Sequence, residues 1–226
     1  MTFLIVSKGI TLQNQNILMI TILIIIHAAL GGISLLSGLS AILAAKGSSR
    51  HVLSGKIFYY CMTSSVVIAV IIALIPGHTN YFLLVIGIFS LYLIVTGKRI
   101  YSLKNYEIKK AKKSDQIISY SMMFIGICMM IWGIFIVITN NSIGFAMILF
   151  GLIGLRLAYS DILFYRKWFT GYNELVRIHI SKMVGGYIAA WTAFLVVNKA
   201  LPGILPWIIP TILGTVYIFT QRKKYF

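Results

Sequence analysis

The sequence predicts an all-α membrane protein: a polytopic bundle of seven transmembrane helices, with the N-terminus outside the cell and the C-terminus in the cytoplasm. Three observations lead to this prediction. Hydrophobic residues make up 59% of the 226 residues, charged residues make up only 11%, and the mean hydropathy is +0.93. The apolar residues fall into seven long runs. Lys and Arg residues are concentrated in alternate connectors between those runs.

The composition excludes three broad classes of protein. A soluble domain is usually about 45–50% apolar and about 25% charged, so this chain has too little polar surface to be one. Disordered chains are excluded because they are poor in large apolar residues. The net charge of +16 would suit a nucleic-acid-binding protein, but the basic residues are confined to short connectors.

The first three runs are residues 16–45, 54–76 and 81–96. A span needs about 20 predominantly apolar residues. The first run is long enough to project beyond the bilayer, and the third is short but can extend through its basic end, Lys98 and Arg99. The breaks after the first and second runs, residues 46–50 and 76–80, contain Gly, Pro, Ser and Asn, which are typical of turns.

The last four runs are residues 116–138, 143–165, 183–197 and 205–220. Asn140-Asn141 separates the fourth run from the fifth, and Pro202-Gly203 separates the sixth from the seventh. Pro206 and Pro210 are expected to start or bend the seventh helix. The longest polar stretch, residues 98–115, has only 18 residues. We therefore expect a single transmembrane domain, residues 1–226, and no soluble domain.

The distribution of basic residues predicts the orientation. Seventeen of the 20 Lys and Arg residues fall on one side of the predicted spans, whereas Lys8 and Lys199 fall on the other and Arg156 lies within a run. Because Lys and Arg are enriched in cytoplasmic connectors, the N-terminus is predicted outside. The basic rim is expected to attract anionic lipid head groups.

Small residues mark one face of the first run and one face of the sixth. The two sets, each with a histidine, are His27, Gly31, Ser34, Gly38 and Ala41, and His179, Met183, Gly186 and Ala190. Small residues allow helices to approach closely in lipid, so ordinary helix packing accounts for both faces. The alternative is a slot for a planar cofactor or a lipid-like molecule.

Four histidines sort by depth into two candidate pairs. His51 and His179 form an inner pair near the cytoplasmic side, whereas His27 and His78 form an outer pair. Paired imidazoles from different helices can hold a haem iron, and a site near each face would suit electron transfer across the bilayer. Interfacial hydrogen bonding is the alternative for His51 and His179, and His78 also fits an exposed loop residue.

Arg156 and Asp161 are charged residues within the fifth run. Such residues are costly in lipid and usually face the protein interior. Their spacing of five places them about 140° apart around a helix, so each needs its own partner. The candidate partners of Asp161 are Arg99, Arg177, Lys182 and His179. The pattern fits a structural ion-pair network, a proton path, or an anion site centred on Arg156.

Two segments carry a resemblance to a known family. They run from His27-Ala-Ala-Leu-Gly-Gly through His51 to Gly55, and from His179-Ile-Ser-Lys-Met through Gly186 to Asn198. Together with Asp161 and Lys98-Arg99, they resemble a family of bacterial multi-pass membrane proteins of unknown function. The resemblance implies a bacterial plasma (inner) membrane protein and draws attention to His27, His51, Asp161 and His179. Cytochrome b561 proteins are similar only in architecture.

These observations leave three functions open. The most concrete is binding of a haem (haem b) or a quinone for membrane electron transfer, with His27, His51 and His179 as cofactor-binding residues. The second is a small-solute or proton-coupled transporter, in which Arg156 attracts an anion and Asp161 or His27 carries protons. Separately from the histidines, the candidate ligand or proton site comprises Arg156, Asp161, Lys182 and Arg99. The third is a non-catalytic accessory or assembly subunit, in a homo-oligomer or a membrane complex. A non-enzymatic role is favoured because no phosphate loop, carboxylate pair or nucleophile elbow is present, and no metal cluster is expected.

Overall fold

The computed structural model describes residues 2–101, 113–139, 141–166 and 171–225, with side chains from residue 17 onward. Several basic residues of the predicted rim lie outside that description: Lys104, Lys109, Lys110, Lys112, Lys167 and the side chain of Lys8. The described residues form seven α-helices, which are α1 Thr2–Leu43, α2 Ser49–Leu74, α3 Tyr81–Arg99, α4 Lys113–Ile138, α5 Ile143–Arg166, α6 Tyr172–Val197 and α7 Leu205–Arg222. A short 3-10 helix, Lys223–Tyr225, follows α7.

Six of these helices have the length and composition of membrane spans. They are the described part of α1, Ile17–Leu43, together with α2 to α6. Large apolar side chains such as Ile25, Phe124 and Ile131 are exposed along them, as expected of helices that face lipid. The prediction of an all-helical, multi-pass membrane protein is therefore confirmed by six helices. The seventh, α7, has 18 residues and carries Gln221 and Arg222 in its last turn.

The breaks between helices follow local turn chemistry. The Ser48 side chain accepts a hydrogen bond from the His51 backbone N–H and caps α2, and Asn80 caps α3 in the same way through Leu83. Gly47 and Gly77 adopt φ angles of 82° and 85°, in the left-handed region that favours glycine. At each of these two breaks, a glycine thus allows the chain to turn after one helix, and a polar side chain caps the start of the next.

The sixth helix begins earlier than the apolar run predicts. The run begins at Met183, whereas α6 begins at Tyr172 and contains Glu174, Arg177 and Lys182. These polar residues interrupt the hydropathy signal but not the helix, because tertiary packing provides partners for them. Lys182, for example, is buried against α5. The difference places His179 and Lys182 inside a helix rather than in a connector.

The helices pack as two hairpins around a central pair. The hairpins are α1 with α2 and α4 with α5, while α3 and α6 pack against each other between them. The α3 helix is the most buried of the six spans, and α7 packs against α6. The carboxyl end of α3, the start of α2 and the first half of α6 consequently meet at one end of the bundle.

Candidate functional site

A cavity of about 530 Å³ lies at that end of the bundle, between α1, α2, α6 and α7 and beside the last turn of α3. We call it the histidine cavity because His51 of α2 and His179 of α6 both line it. Small residues that line it are Gly38, Ala41, Gly47 and Gly55, and the tyrosines are Tyr101, Tyr172, Tyr187, Tyr217 and Tyr225. Its volume falls within the range of about 300–1,000 Å³ that is typical of small-molecule sites.

Both cavity histidines are held by the same kind of hydrogen bond. The Nδ1 atom of His51 lies 2.9 Å from the Ala41 carbonyl oxygen, and Nδ1 of His179 lies 2.7 Å from the Gly97 carbonyl oxygen. A carbonyl oxygen only accepts, so each Nδ1 carries the proton and donates it. In the neutral tautomer with this bond, Nε2 carries the lone pair, which is the arrangement of a metal-ligating or proton-accepting imidazole.

Three lysines line the histidine cavity: Lys46, Lys56 and Lys98. Lys46 Nζ donates to the Ile42 carbonyl oxygen at 2.7 Å and so satisfies the end of α1. Burial, together with the nearby charge of Lys224, lowers the pKa of Lys46. Lys98 Nζ lies 3.9 Å from the centre of the Tyr59 ring, a cation–π contact. The cationic side of the cavity favours a ligand with an anionic group.

Two tyrosines that line the cavity are joined to each other. The hydroxyl groups of Tyr101 and Tyr172 lie 2.7 Å apart, and the Tyr101 ring packs edge-on against the His179 ring. Burial and the hydrogen bond to Tyr172 raise the pKa of Tyr101 to about 12, so its phenol stays neutral at physiological pH. The wall beside His179 therefore remains uncharged.

His27 lies apart from the histidine cavity. Its Nδ1 atom is 2.9 Å from the Ser65 carbonyl oxygen, and the Ser65 hydroxyl donates to the His27 carbonyl oxygen at 2.9 Å. These two hydrogen bonds join α1 to α2. His27 precedes Ala41, the partner of His51, by 14 residues, or about 21 Å along the helix. The structure thus brings His51 and His179 to one cavity and leaves His27 in a helix contact, while His78 is exposed in the loop before α3.

A second polar site lies inside the bundle, where α3, α5 and α6 meet. Lys182 donates a short hydrogen bond to Oδ2 of Asp161, and the Tyr92 hydroxyl donates to the same oxygen at 2.5 Å. Tyr92, Asp161 and Lys182 are all at most 5% exposed. Lys182 Nζ also lies 5.2 Å from the centre of the Tyr92 ring. Of the four candidate partners for Asp161, the structure pairs it with Lys182.

The other two predicted charged residues lie elsewhere. Arg99, at the end of α3, forms an ion pair with the buried Asp115 at the start of α4 and also donates to the Ser114 hydroxyl at 2.6 Å. Arg156 is exposed on α5, on a different face from the buried Asp161. Arg99 therefore lies at the edge of the bundle, and Arg156 lies outside the cluster that Asp161 forms.

Three residues of the second polar site were not among the sequence candidates. Tyr92 donates a hydrogen bond to Asp161. Ser119 of α4 and Tyr165 of α5 are neighbours of Tyr92. A spacing of four connects Asp161 to Tyr165 and Asp115 to Ser119, which places each pair on one helix face. The spacing of four is the sequence feature that could have identified Tyr165 and Ser119. Tyrosine and serine are so common at span ends that this spacing does not distinguish these two residues from others.

Neither a metal site in the described residues nor a similar known protein indicates a function for this chain. Within the described ranges, no group of three or more His, Cys, Asp or Glu side chains is placed to hold a metal ion. Comparisons with protein-family models, curated proteins and solved structures found no match to this chain. The histidine cavity and the buried polar residues are therefore the features of this chain that bear on its function.

Proposed function

We propose that this protein binds a flat, redox-active ligand of the haem or quinone type in the histidine cavity, for electron transfer in the membrane. The observation that carries the proposal is that His51 and His179 line one cavity, each with Nδ1 bonded to a backbone carbonyl. In each ring, this leaves Nε2 as the nitrogen that the backbone bond does not engage.

The residues present fit either ligand. Nε2 of His51 and of His179 would hold a haem iron, and a quinol hydroxyl could donate to the same atoms. Gly55 of α2, where an added Cβ atom would meet nothing within 4 Å, leaves room for a flat ring, and Lys46, Lys56 and Lys98 suit the carboxylates of a haem. Haem, when bound, supplies one-electron chemistry, while the chain orients the ring and limits its contact with water.

We also propose that the chain is a single domain that crosses a bacterial plasma membrane seven times, with its C-terminus in the cytoplasm. The 18 residues of α7 extend about 27 Å, close to the thickness of about 30 Å of a hydrocarbon core. The basic residues at the cavity end then face the cytoplasm. There they can also bind anionic lipid head groups.

The decisive experiment is an absorption spectrum with iron and quinone analysis of the mildly solubilised protein. We expect a haem Soret band, or co-purified quinone, that is lost in His51→Ala and in His179→Ala. The matched control is His78→Ala, which removes an exposed histidine outside the cavity. His27→Ala should also retain the ligand, because His27 lies along α1 away from the cavity.

The same experiment can contradict the proposal. A folded wild-type protein that contains neither iron nor quinone would contradict it. Retention of the ligand in both cavity variants would also contradict it, since the ligand would then lie elsewhere.

A further inference from the structure

A column of polar side chains leads from the edge of the bundle to the buried Asp161. Its members are Arg99 and Tyr92 of α3, Asp115 and Ser119 of α4, Asp161 and Tyr165 of α5, and Lys182 of α6. We call these seven residues the polar column. It begins at the Arg99–Asp115 pair, passes Ser119, and ends at the Asp161–Lys182 pair. Seven positions separate Tyr92 from Arg99, so the column is about 10 Å deep.

Ser119 occupies the middle of the polar column and is fully buried, with a relative exposure of 0%. Within the described residues, its Oγ atom has no hydrogen bond of good geometry. It nevertheless lies beside the hydroxyl groups of Tyr92 and Tyr165. A buried hydroxyl whose hydrogen bonds are poorly formed loses part of the roughly 1–3 kcal/mol that a missing partner costs, so an additional partner is expected there.

The other buried serine of this region shows the usual alternative. Ser90 of α3 is 3% exposed, and its Oγ donates at 2.6 Å to the Ile86 carbonyl oxygen of its own helix. A serine in a helix within lipid ordinarily satisfies itself in this way. Ser119 does not, and its hydroxyl is surrounded by groups that can both donate and accept. Such a site suits a water molecule, which needs two to four polar partners.

We propose that Ser119 binds a buried water molecule, and that the polar column carries protons between the edge of the bundle and Asp161. A proton from bulk water enters at the Asp115 carboxylate, beside Arg99, and passes to the bound water, which gives up one of its own protons. Tyr92 accepts a proton from that water as it gives its own to Asp161. The Asp161 carboxylate becomes a neutral acid, and the reverse sequence returns the proton to the edge. No electrons are transferred, and the number of protons is conserved at each step.

The groups that face Asp161 fit this role. Tyr92 approaches from α3, Lys182 from α6, and Tyr165 from the next turn of α5 itself. From α4, Asp115 interacts electrostatically with Tyr165 and Lys182. Lys182 donates a hydrogen bond to the Asp161 carboxylate, and Tyr92 supplies the hydroxyl through which a proton can arrive. The column does not depend on the ligand of the histidine cavity.

The bound water is tested with a matched pair of cysteine variants. Ser119→Cys and Ser90→Cys are made in a Cys61→Ala/Cys128→Ala background, and the infrared S–H band of each is followed after transfer to D₂O. We expect the thiol at position 119 to exchange at least about tenfold faster than the thiol at position 90, because water reaches only the first. Equal exchange rates would overturn the proposal.

Proton delivery to Asp161 is tested separately. Asp115 and Asp161 are the only two aspartates of the chain, so ¹³C-labelled aspartate gives two carboxyl signals, and Asp161→Asn identifies that of Asp161. After a drop in pH, we expect the Asp161 signal to become that of a neutral acid about tenfold more slowly in Ser119→Val than in wild type. An unchanged rate would overturn the column as the route. If Ser119→Val does not fold, the cysteine pair still decides whether water is present.

Discussion

At the scale of single residues, Asp161 and Lys182 are the side chains that depend most on each other. Both are 4% exposed, and Lys182 donates directly to Asp161. Taking two charges out of water is costly, and their attraction offsets that cost only while both are present. Removing one partner leaves the other as a buried charge without its counter-ion.

We predict that Lys182→Met destabilises the protein by about 3–5 kcal/mol, because Asp161 is left buried and unpaired. The double variant Asp161→Asn/Lys182→Met should recover much of that loss, since no buried charge remains. The measurement is the thermal unfolding midpoint in detergent. Equal midpoints for the single variant and wild type would show that the pair is not needed for stability.

Arg156→Leu is the matched control for that experiment. Arg156 lies on the same helix as Asp161, but it is exposed. Its replacement should leave the unfolding midpoint close to that of wild type, because surface substitutions usually change stability by less than about 0.5 kcal/mol. A large loss of stability would instead indicate that Arg156 balances a charge on a neighbour.

At the scale of elements, α4 and α5 are joined by a seam of four glycines. Gly126 faces Gly151, and Gly133 faces Gly144. A Cβ atom added at Gly151 would lie 2.8 Å from the Gly126 carbonyl oxygen, and one at Gly133 would lie 2.9 Å from the Gly144 carbonyl oxygen. Because the obstacle is backbone, the helices themselves would have to separate. Close backbone approach is thus the basis of this hairpin.

We predict that Gly151→Ala destabilises the protein by about 1–3 kcal/mol, since the added methyl group forces α4 and α5 apart. The control is Gly32→Ala on α1, where a Cβ atom would meet nothing within 4 Å. That variant should be neutral, or more stable by up to about 1 kcal/mol, because alanine favours the helix. The unfolding midpoints of both variants are measured in detergent. Similar midpoints for Gly151→Ala and Gly32→Ala would show that α4 and α5 are not packed tightly at these glycines.

At the scale of the whole molecule, α7 decides whether the termini lie on opposite sides of the membrane. It packs against α6, and the Tyr217 hydroxyl donates to the Ile42 carbonyl oxygen of α1 at 2.9 Å. This contact brings the last turns of α7 to the end of the bundle where α1 stops. The turn before α7, at Ala200, lies at the other end of the helix.

We predict that positions 200 and 223 lie on opposite sides of the membrane. Ala200→Cys and Lys223→Cys, each in a background without Cys61 and Cys128, are treated in whole cells with a membrane-impermeant maleimide. Position 200 should be labelled from outside, whereas position 223 should react only after the membrane is opened. Labelling of both positions from the same side would show that α7 does not cross.

The helical, multi-pass architecture was predictable from the sequence, because a run of about 20 apolar residues is a strong local signal. The start of α6 was not, since Glu174, Arg177 and Lys182 interrupt its apolar pattern. Lys182 is tolerated in the bundle because Asp161, 21 positions earlier, neutralises it. A local pattern contains no information about such a partner.

By itself, the sequence determined that this chain is a membrane protein and where most of its helices begin and end, since hydropathy and turn chemistry act over neighbouring residues. Only the tertiary structure decided which polar side chains meet. Tyr92 reaches Asp161 across 69 positions, and His51 and His179 come to one cavity from α2 and α6. The physical reason is that lipid fixes how long each helix is, whereas close packing between helices fixes which of its faces meets which neighbour.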